Sequence, residues 1–366
     1  MAVCLPGRRG RSDLDNRASY QHLDPNGMLD FAVDFPSQVE EAARIGRQFA
    51  PPRSLRNPSE IVIAGMGGSA VVGDLLARLL EDRAPVPVLV CRSYEIPRFV
   101  GPRTLFIASS HSGNTEETLS AVARARRRGA RIVCITTNGK LAAFARRHKL
   151  PLLNIPQTDP PMPPRAALGY SLIPLVVLLG SADLYPGAAS QLREVPPLLK
   201  RLRDQVGPEV PMRRNRAKAL ATQLCGKLPW VQGTAGIMSA AAYRWRCQFN
   251  ENSKVLACSS EYPELNHNEV VGWELPRTRA QEVRVIVLHG PREPRRIRAR
   301  VGITQELIGR KTRVHPIEAE GRSALAQLMW TVYLGDFVSL YLAFLNGVDP
   351  SSIAAINELK SRLAQL

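Results

Sequence analysis

A dense set of hydroxyl groups stands in the run Ser109-Ser110-His111-Ser112-Gly113-Asn114-Thr115-Glu116-Glu117-Thr118. It follows the apolar stretch Thr104–Ala108 and opens a segment with helical spacing. A strand that ends in such a run points several hydroxyls, and the free N–H groups of the next helix, into one small volume. That combination holds a phosphate without lysine or metal. The plainer alternative is an ordinary helix cap, with Thr115 as the capping residue and a glutamate in the first turn. A second signal is Gly65-Met66-Gly67-Gly68-Ser69 after the apolar run Glu60–Ala64. Glycines there let backbone N–H groups close on an anion, although a tight packing turn reads equally well. The dinucleotide spacing G-x-G-x-x-G fails at Ala70, and Cys91-Arg92 ends the second strand where an acidic residue is needed. His111 beside serines suggests a nucleophile and its base, but no G-x-S-x-G elbow exists, which sets serine hydrolase chemistry aside.

These turns need a scaffold, and the apolar runs supply one. Short strands are expected at 60–64, 86–91, 104–108, 131–136 and 152–155. Helices are expected after 68, over 116–128, up to His148, and again to about Leu179. The rhythm restarts with strands at 228–232, 283–288 and 313–317, and helices ending at Glu251 and covering 295–309 and 323–345. Strands alternating with helices argue for parallel sheets covered on both faces. The fold class is therefore α/β, with a flexible segment 1–25, a domain at 26–180, a connector at 181–212 containing a helix near 188–205, and a second domain at 213–366. A helix over 28–49 should break near Pro36, and Pro350 is expected in the first turn of a terminal helix.

Composition narrows the classes. The chain has 366 residues, 45% of them hydrophobic, which suits two soluble domains. The net charge of +17 comes largely from arginines such as Arg124, Arg126, Arg127 and Arg128, scattered on helical faces. With only 6% aromatics and no basic–aromatic interleaving, nucleic acid is not expected as a partner. The six cysteines form no C-x-x-C pair and read as free thiols in a reducing compartment, with no zinc site. The basic start MAVCLPGRRGRS lacks an apolar core, and the apolar segment Tyr170–Leu179 is about half the ~20 residues that span a bilayer. A cytoplasmic protein with no membrane association is expected.

GMGGSAVVGD followed by SSHSGNTEETL is similar to the N-terminal sugar-isomerase (SIS) domain of bifunctional phosphoglucose/phosphomannose isomerases. The resemblance continues through PPRAALGY, AYRWRCQFNENSK, EYPELNHNEVVGWE and GVDPSSIAAINELK, in the expected order. It implies two SIS domains, each a mostly parallel, flavodoxin-like three-layer αβα sandwich. It implies that Gly68, Ser69, Ser110, Ser112 and Thr115 hold the substrate phosphate, Glu251 is the base and His267 opens the sugar ring. Arg165 would stabilise the intermediate and Lys360 would assist ring opening. The resemblance also implies a homodimer in which the His267 segment reaches the neighbouring subunit's site. The family usually has Tyr at His111 and Gly at Ala70.

The chemistry is consistent with that set. Aldose–ketose isomerisation moves a proton between C2 and C1 through a cis-enediol. It needs a carboxylate, an acid/base for the ring and a cation near the enediolate, with no metal or redox cofactor. The substrate expected is a small sugar phosphate: glucose 6-phosphate or mannose 6-phosphate, giving fructose 6-phosphate. Glu261, Glu264 and Glu269 compete with Glu251 as the base. A non-catalytic SIS sensor would carry a helix-turn-helix, which neither end of the chain suggests. An isomerase of amino-sugar phosphates would share the cradle and the chemistry.

Overall fold

The computed structural model describes residues 13–363 and 365. The chain divides into two compact units. One comprises Asp34–Lys200 with Gly321–Met329; the other holds the chain up to Val33, Arg201–Glu320 and the stretch from Trp330 onward.

Helix α1 (Met28–Val33) ends at Asp34, where the first unit begins with α2 (Phe35–Gln48). The expected break thus falls before Pro36, which sits in the first turn of α2, where a missing N–H costs nothing. There follow β1 (Glu60–Ala64), α3 (Gly68–Leu80), β2 (Val88–Cys91), β3 (Thr104–Ser109), α4 (Glu116–Arg127), β4 (Arg131–Thr136), α5 (Gly139–Arg147), β5 (Leu152–Asn154), α6 (Leu168–Ser181) and α7 (Ala188–Val206). The five strands pair in parallel in the order β2-β1-β3-β4-β5. Central strand β3 is buried along its whole length, which is why its sequence reads as a continuous apolar run. Its Phe106 and Ala108 pack with Val62, Ala121, Val122 and Ile132 in one core cluster.

The second unit continues with α8 (Arg216–Leu224), β6 (Leu228–Thr234), α9 (Ile237–Glu251), β7 (Cys258–Tyr262), α10 (Glu269–Gly272), α11 (Arg277–Ala280), β8 (Val283–His289), α12 (Arg295–Gly309), β9 (Val314–Glu318), α13 (Ala324–Leu345, from Trp330 onward in this unit) and α14 (Ala354–Leu363). Its sheet is parallel with the order β7-β6-β8-β9. Each unit is thus an α/β sandwich of the expected class. Helix α13 is long and apolar enough to cross a membrane, but 94% of its most apolar window is buried inside the protein, as in a core helix.

Two local expectations need correction, and one strand was not anticipated. Edge strand β7, with the polar sequence CSSEY, gave no apolar signal. Pro350 lies outside α14, because the Asp349 carboxylate accepts bonds from the N–H and hydroxyl of Ser351 and turns the chain first. Cys225 is disulfide-bonded, whereas Cys91, Cys134, Cys247 and Cys258 are free, as expected. A disulfide reflects proximity in space, which sequence spacing does not report; Cys4 lies outside the described residues. Of the segment expected to be flexible, residues 1–12 lie outside the described residues. Within 13–25, Leu14 and Tyr20 are buried, and Tyr20 stacks on Phe344 at 4.6 Å.

Candidate active site

The first unit brings its proposed ligand groups to the carboxyl ends of β1 and β3. These strands are neighbours, and the connections leave them in opposite directions, so a crevice forms between the turns that follow. Gly65 is pressed against the Ser109 carbonyl and Ser69, with room for a Cβ only at 3.0 Å from either, so the two turns touch. Helix α3 starts at Gly68 after Gly67 (φ 51°), and Ser69 is buried in its first turn. On the other side, a Cβ at Gly68 would lie 3.5 Å from the Pro164 carbonyl and 3.7 Å from the Arg165 nitrogen. The backbone of the Arg165 turn therefore covers the glycine turn, and Arg165 itself is buried.

Thr115 occupies the N-cap of α4 but its side chain caps nothing. Its hydroxyl instead lies 2.9 Å from Ser110 Oγ, which also accepts a bond from the Gly113 N–H. The ordinary capping alternative thus does not describe this turn. The α4 N–H groups stay available to an anion, against which the first-turn residues Glu116 and Glu117 act. Ser112 is exposed and accepts from the Asn114 N–H. The loop is held by the polar turn after β4, Thr137-Asn138-Gly139-Lys140. Gly113 (φ 70°) and Gly139 (φ 75°) abut the Asn138 and Ser112 carbonyls, the Asn114 side chain accepts from the Lys140 N–H, and the His111 carbonyl accepts from Thr137. The Asn138-Gly139 pair was the available signal. Burial pushes the His111 imidazole below its ordinary pKa, so it is neutral at pH 7.

The second unit carries the other candidates. Glu251 is the last residue of α9 and is half-buried. The next two residues are fully enclosed: Asn252 donates to Ser339 Oγ at 2.9 Å, and Ser253 donates to the Ser339 carbonyl at 2.6 Å. Lys254 then donates to the carbonyls of Glu251 and Ser352, linking this corner to the segment that leads into α14. Higher on the same helix pair, buried Arg244 and Gln248 bind the Asp336 carboxylate. His267 ends a one-turn helix (Glu264–His267) after β7 and is exposed; Lys360 is exposed on α14. Neither forms a bond to Glu251 or to the other among the described residues. Among the competing acids, Glu264 is exposed, Glu261 is half-buried, and Glu269 accepts from Gln232 Nε2 at 2.9 Å. Burial raises the Glu269 pKa, and bonds from Ser260, Gln232, Trp230 and Trp273 partly oppose the rise.

Two parallel αβα sandwiches, one with a hydroxyl-lined turn at its switch point, define the class of SIS-domain proteins. Residues 54–156 match the SIS domain model, and 213–363 match the model of the bacterial phospho-glucose isomerase C-terminal SIS domain. A bifunctional phosphoglucose/phosphomannose isomerase of Caldicellulosiruptor bescii is 41% identical over 93% of this chain and 99% of its own. One from Thermoplasma acidophilum is 35% identical over 84% and 90%. The chain belongs to the bifunctional phosphoglucose/phosphomannose isomerase family. A glucose-6-phosphate isomerase like protein from Thermus thermophilus shares the fold, with a TM-score of 0.62 at 23% identity over 94% and 99% of the two chains. So does the C-terminal domain of a Francisella tularensis glucosamine-fructose-6-phosphate aminotransferase (0.65, 16%, 88% and 96%).

Proposed function

We propose that this chain reversibly converts glucose 6-phosphate and mannose 6-phosphate to fructose 6-phosphate. The observation that carries the reading, besides family membership, is the Thr115 hydroxyl turned from its own helix toward Ser110, leaving an open anion turn. In this reading Gly68, Ser69, Ser110, Ser112 and Thr115 bind the phosphate. His267, assisted by Lys360, moves the proton between the ring oxygen and the anomeric hydroxyl that opens the ring. Glu251 then takes the C2 proton as the carbonyl oxygen on C1 gains one, giving the cis-enediol. Loss of the O2 proton and return of the carbon-bound proton to C1 yields the ketose. Arg165 offsets the charge that develops on the enediolate oxygens. Glucose and mannose phosphates differ only at C2, so both reach the same enediol.

The two SIS domains are taken as 26–180 and 213–366, with the connector between them. We place the enzyme in the cytoplasm, in hexose phosphate metabolism, as a homodimer. The exposed position of His267, away from any bond to Glu251, favours its use by a neighbouring subunit. A fully active monomer by light scattering would overturn that part.

The deciding test is a coupled assay of wild type and Glu251→Gln with fructose 6-phosphate, reading both aldose phosphates. Gln keeps the shape but accepts no proton, so a loss of about 10²–10⁴-fold is expected. A wild type that binds fructose 6-phosphate without turnover would point to a sensor. Turnover confined to an amino-sugar phosphate would move the substrate class.

A further inference from the structure

Several surface arginines of this protein find a carboxylate: Arg17 with Asp30, Arg78 with Glu81, Arg92 with Asp74, Arg124 with Glu95, and Arg362 with Glu358. A different arrangement occurs at the amino-terminal edge of the second unit's sheet. A cavity of about 840 Å³ there is lined by Lys227, Arg277, Arg284, Lys311, Arg313 and His315, with Glu306 as its one acid. Among the described residues, none of the five lysines and arginines there forms an ion pair. Their bonds run to neutral groups instead. Lys227 donates to the Gln281 carbonyl, Lys311 to that of Leu275, Arg313 to the Gln223 side chain, and Arg284 to two carbonyls and Thr312.

The register makes the arrangement unfavourable in itself. Val285 pairs with Val314 and Ile286 with His315, so Arg284 and Arg313 stand side by side on neighbouring strands, and His315 follows on the same face. Like charges directly opposite one another destabilise a sheet. Arg284 Nε and His315 Nε2 are also buried without any hydrogen-bond partner, a cost a fold rarely carries without a use. Burial and Arg313 push the Arg284 guanidinium below its ordinary pKa; burial, Arg284 and Arg313 do the same to His315. An anion in the groove would offset the repulsion between the Arg284 and Arg313 guanidinium groups. Gly302 and Gly309 leave open space beside the cavity.

We propose that this edge of the second unit is a binding site for a small ligand bearing two or more phosphoryl or carboxylate groups, held by Lys227, Arg277, Arg284, Lys311, Arg313 and His315. The site is concave, and no aromatic side chain lines it, so it offers no stacking platform for a single-stranded nucleic acid. It lies at the opposite strand ends from His267 and on the β8–β9 side of the sheet, whereas α9, which ends at Glu251, packs mainly on β6 and β7.

The test is calorimetric titration of the full chain with inorganic pyrophosphate, using three variants. Ser110→Ala/Thr115→Val removes the cradle hydroxyls, and saturable binding should persist. Arg284→Gln/Arg313→Gln should weaken binding by about tenfold or more, as loss of charge-assisted bonds does. Its unliganded melting temperature should hold or rise, because a repulsion is gone, while pyrophosphate should no longer raise it. Arg277→Glu alters only an exposed lining residue and should also weaken binding, which decides the matter if the double variant misfolds. Binding that vanishes with the cradle hydroxyls, or survives both charge variants, overturns the proposal. So does a single-stranded oligonucleotide that displaces pyrophosphate at lower concentration.

Discussion

Asn252 donates its side-chain amide to Ser339 Oγ at 2.9 Å, so the residue after Glu251 is tied to α13 inside the core. Ser339 in turn donates to the Asp336 carbonyl, and Asn346 donates to the Ser253 carbonyl. The end of α9 is therefore fixed by groups buried in the core. Asn252→Ala leaves a buried hydroxyl short of a partner and should cost about 1–3 kcal/mol in stability. If Glu251 is the base, its displacement should also lower kcat by up to about 10²-fold with little change in KM, since small misplacements act on the chemical step. Denaturant melts and steady-state kinetics on the same sample separate the two effects. An unchanged kcat in a destabilised variant would show that Asn252 serves the fold alone.

The Ser110–Thr115 contact makes a different prediction. Both hydroxyls belong to the proposed phosphate turn and neither is proposed to move a proton, so their loss should weaken ground and transition states alike. Thr115→Val is expected to raise KM for fructose 6-phosphate by about tenfold or more, with kcat nearly kept. It should also leave α4 intact, because the side chain makes no capping bond. A fall in kcat at constant KM would remove Thr115 from the phosphate site.

Gly113 tests the backbone of the same turn. It sits at φ 70°, and a Cβ would lie 1.8 Å from the Asn138 carbonyl oxygen, a backbone atom that cannot swing away. Gly113→Ala should therefore separate the Ser110 turn from the turn after β4 and abolish phosphate binding. Gly67 also has positive φ but open space around it. Gly67→Ala should accordingly be milder, at about 1 kcal/mol or somewhat more. Equal effects in inorganic phosphate titrations would contradict this ranking.

The units were legible where burial was continuous. β3, buried at all six positions, stood out as an apolar run, whereas edge strand β7 has polar residues on both faces and was invisible to periodicity. Helix α8 was missed for a related reason. Its start depends on Asn215, whose side chain accepts from the Ala217 and Lys218 N–H groups, and a lone Asn in a basic stretch signals weakly. The phosphate turn could be read because hydroxyl density is a local property. The joining of the Gly65 turn to Ser109, and of Gly68 to Pro164, depends on which strands become neighbours, and only the fold supplies that. Glu251 and His267 came from motif resemblance; neither the helix end that holds one nor the exposed turn that holds the other has a distinctive local pattern.

Glu269 provides the sharpest check on the choice of base, because its environment already separates it from Glu251. Burial raises its pKa, with opposing bonds from its neighbours. The folded protein therefore holds this proton more tightly than the unfolded chain, whose glutamates titrate near about 4.3. The stabilising contribution is fully present below that value and is lost as pH rises through the folded pKa. Glu269→Gln removes the titration, and its side-chain carbonyl can still accept the Gln232 bond. The melting temperatures of variant and wild type should nearly coincide at about pH 4. The variant should gain on wild type as pH rises toward neutrality. Turnover of fructose 6-phosphate by the variant should stay within about tenfold of wild type, against the 10²–10⁴-fold loss expected for a missing general base. If Glu269→Gln loses as much activity as Glu251→Gln, the proton-transfer role shifts to the carboxylate beside His267, and Glu251 becomes a helix-end residue.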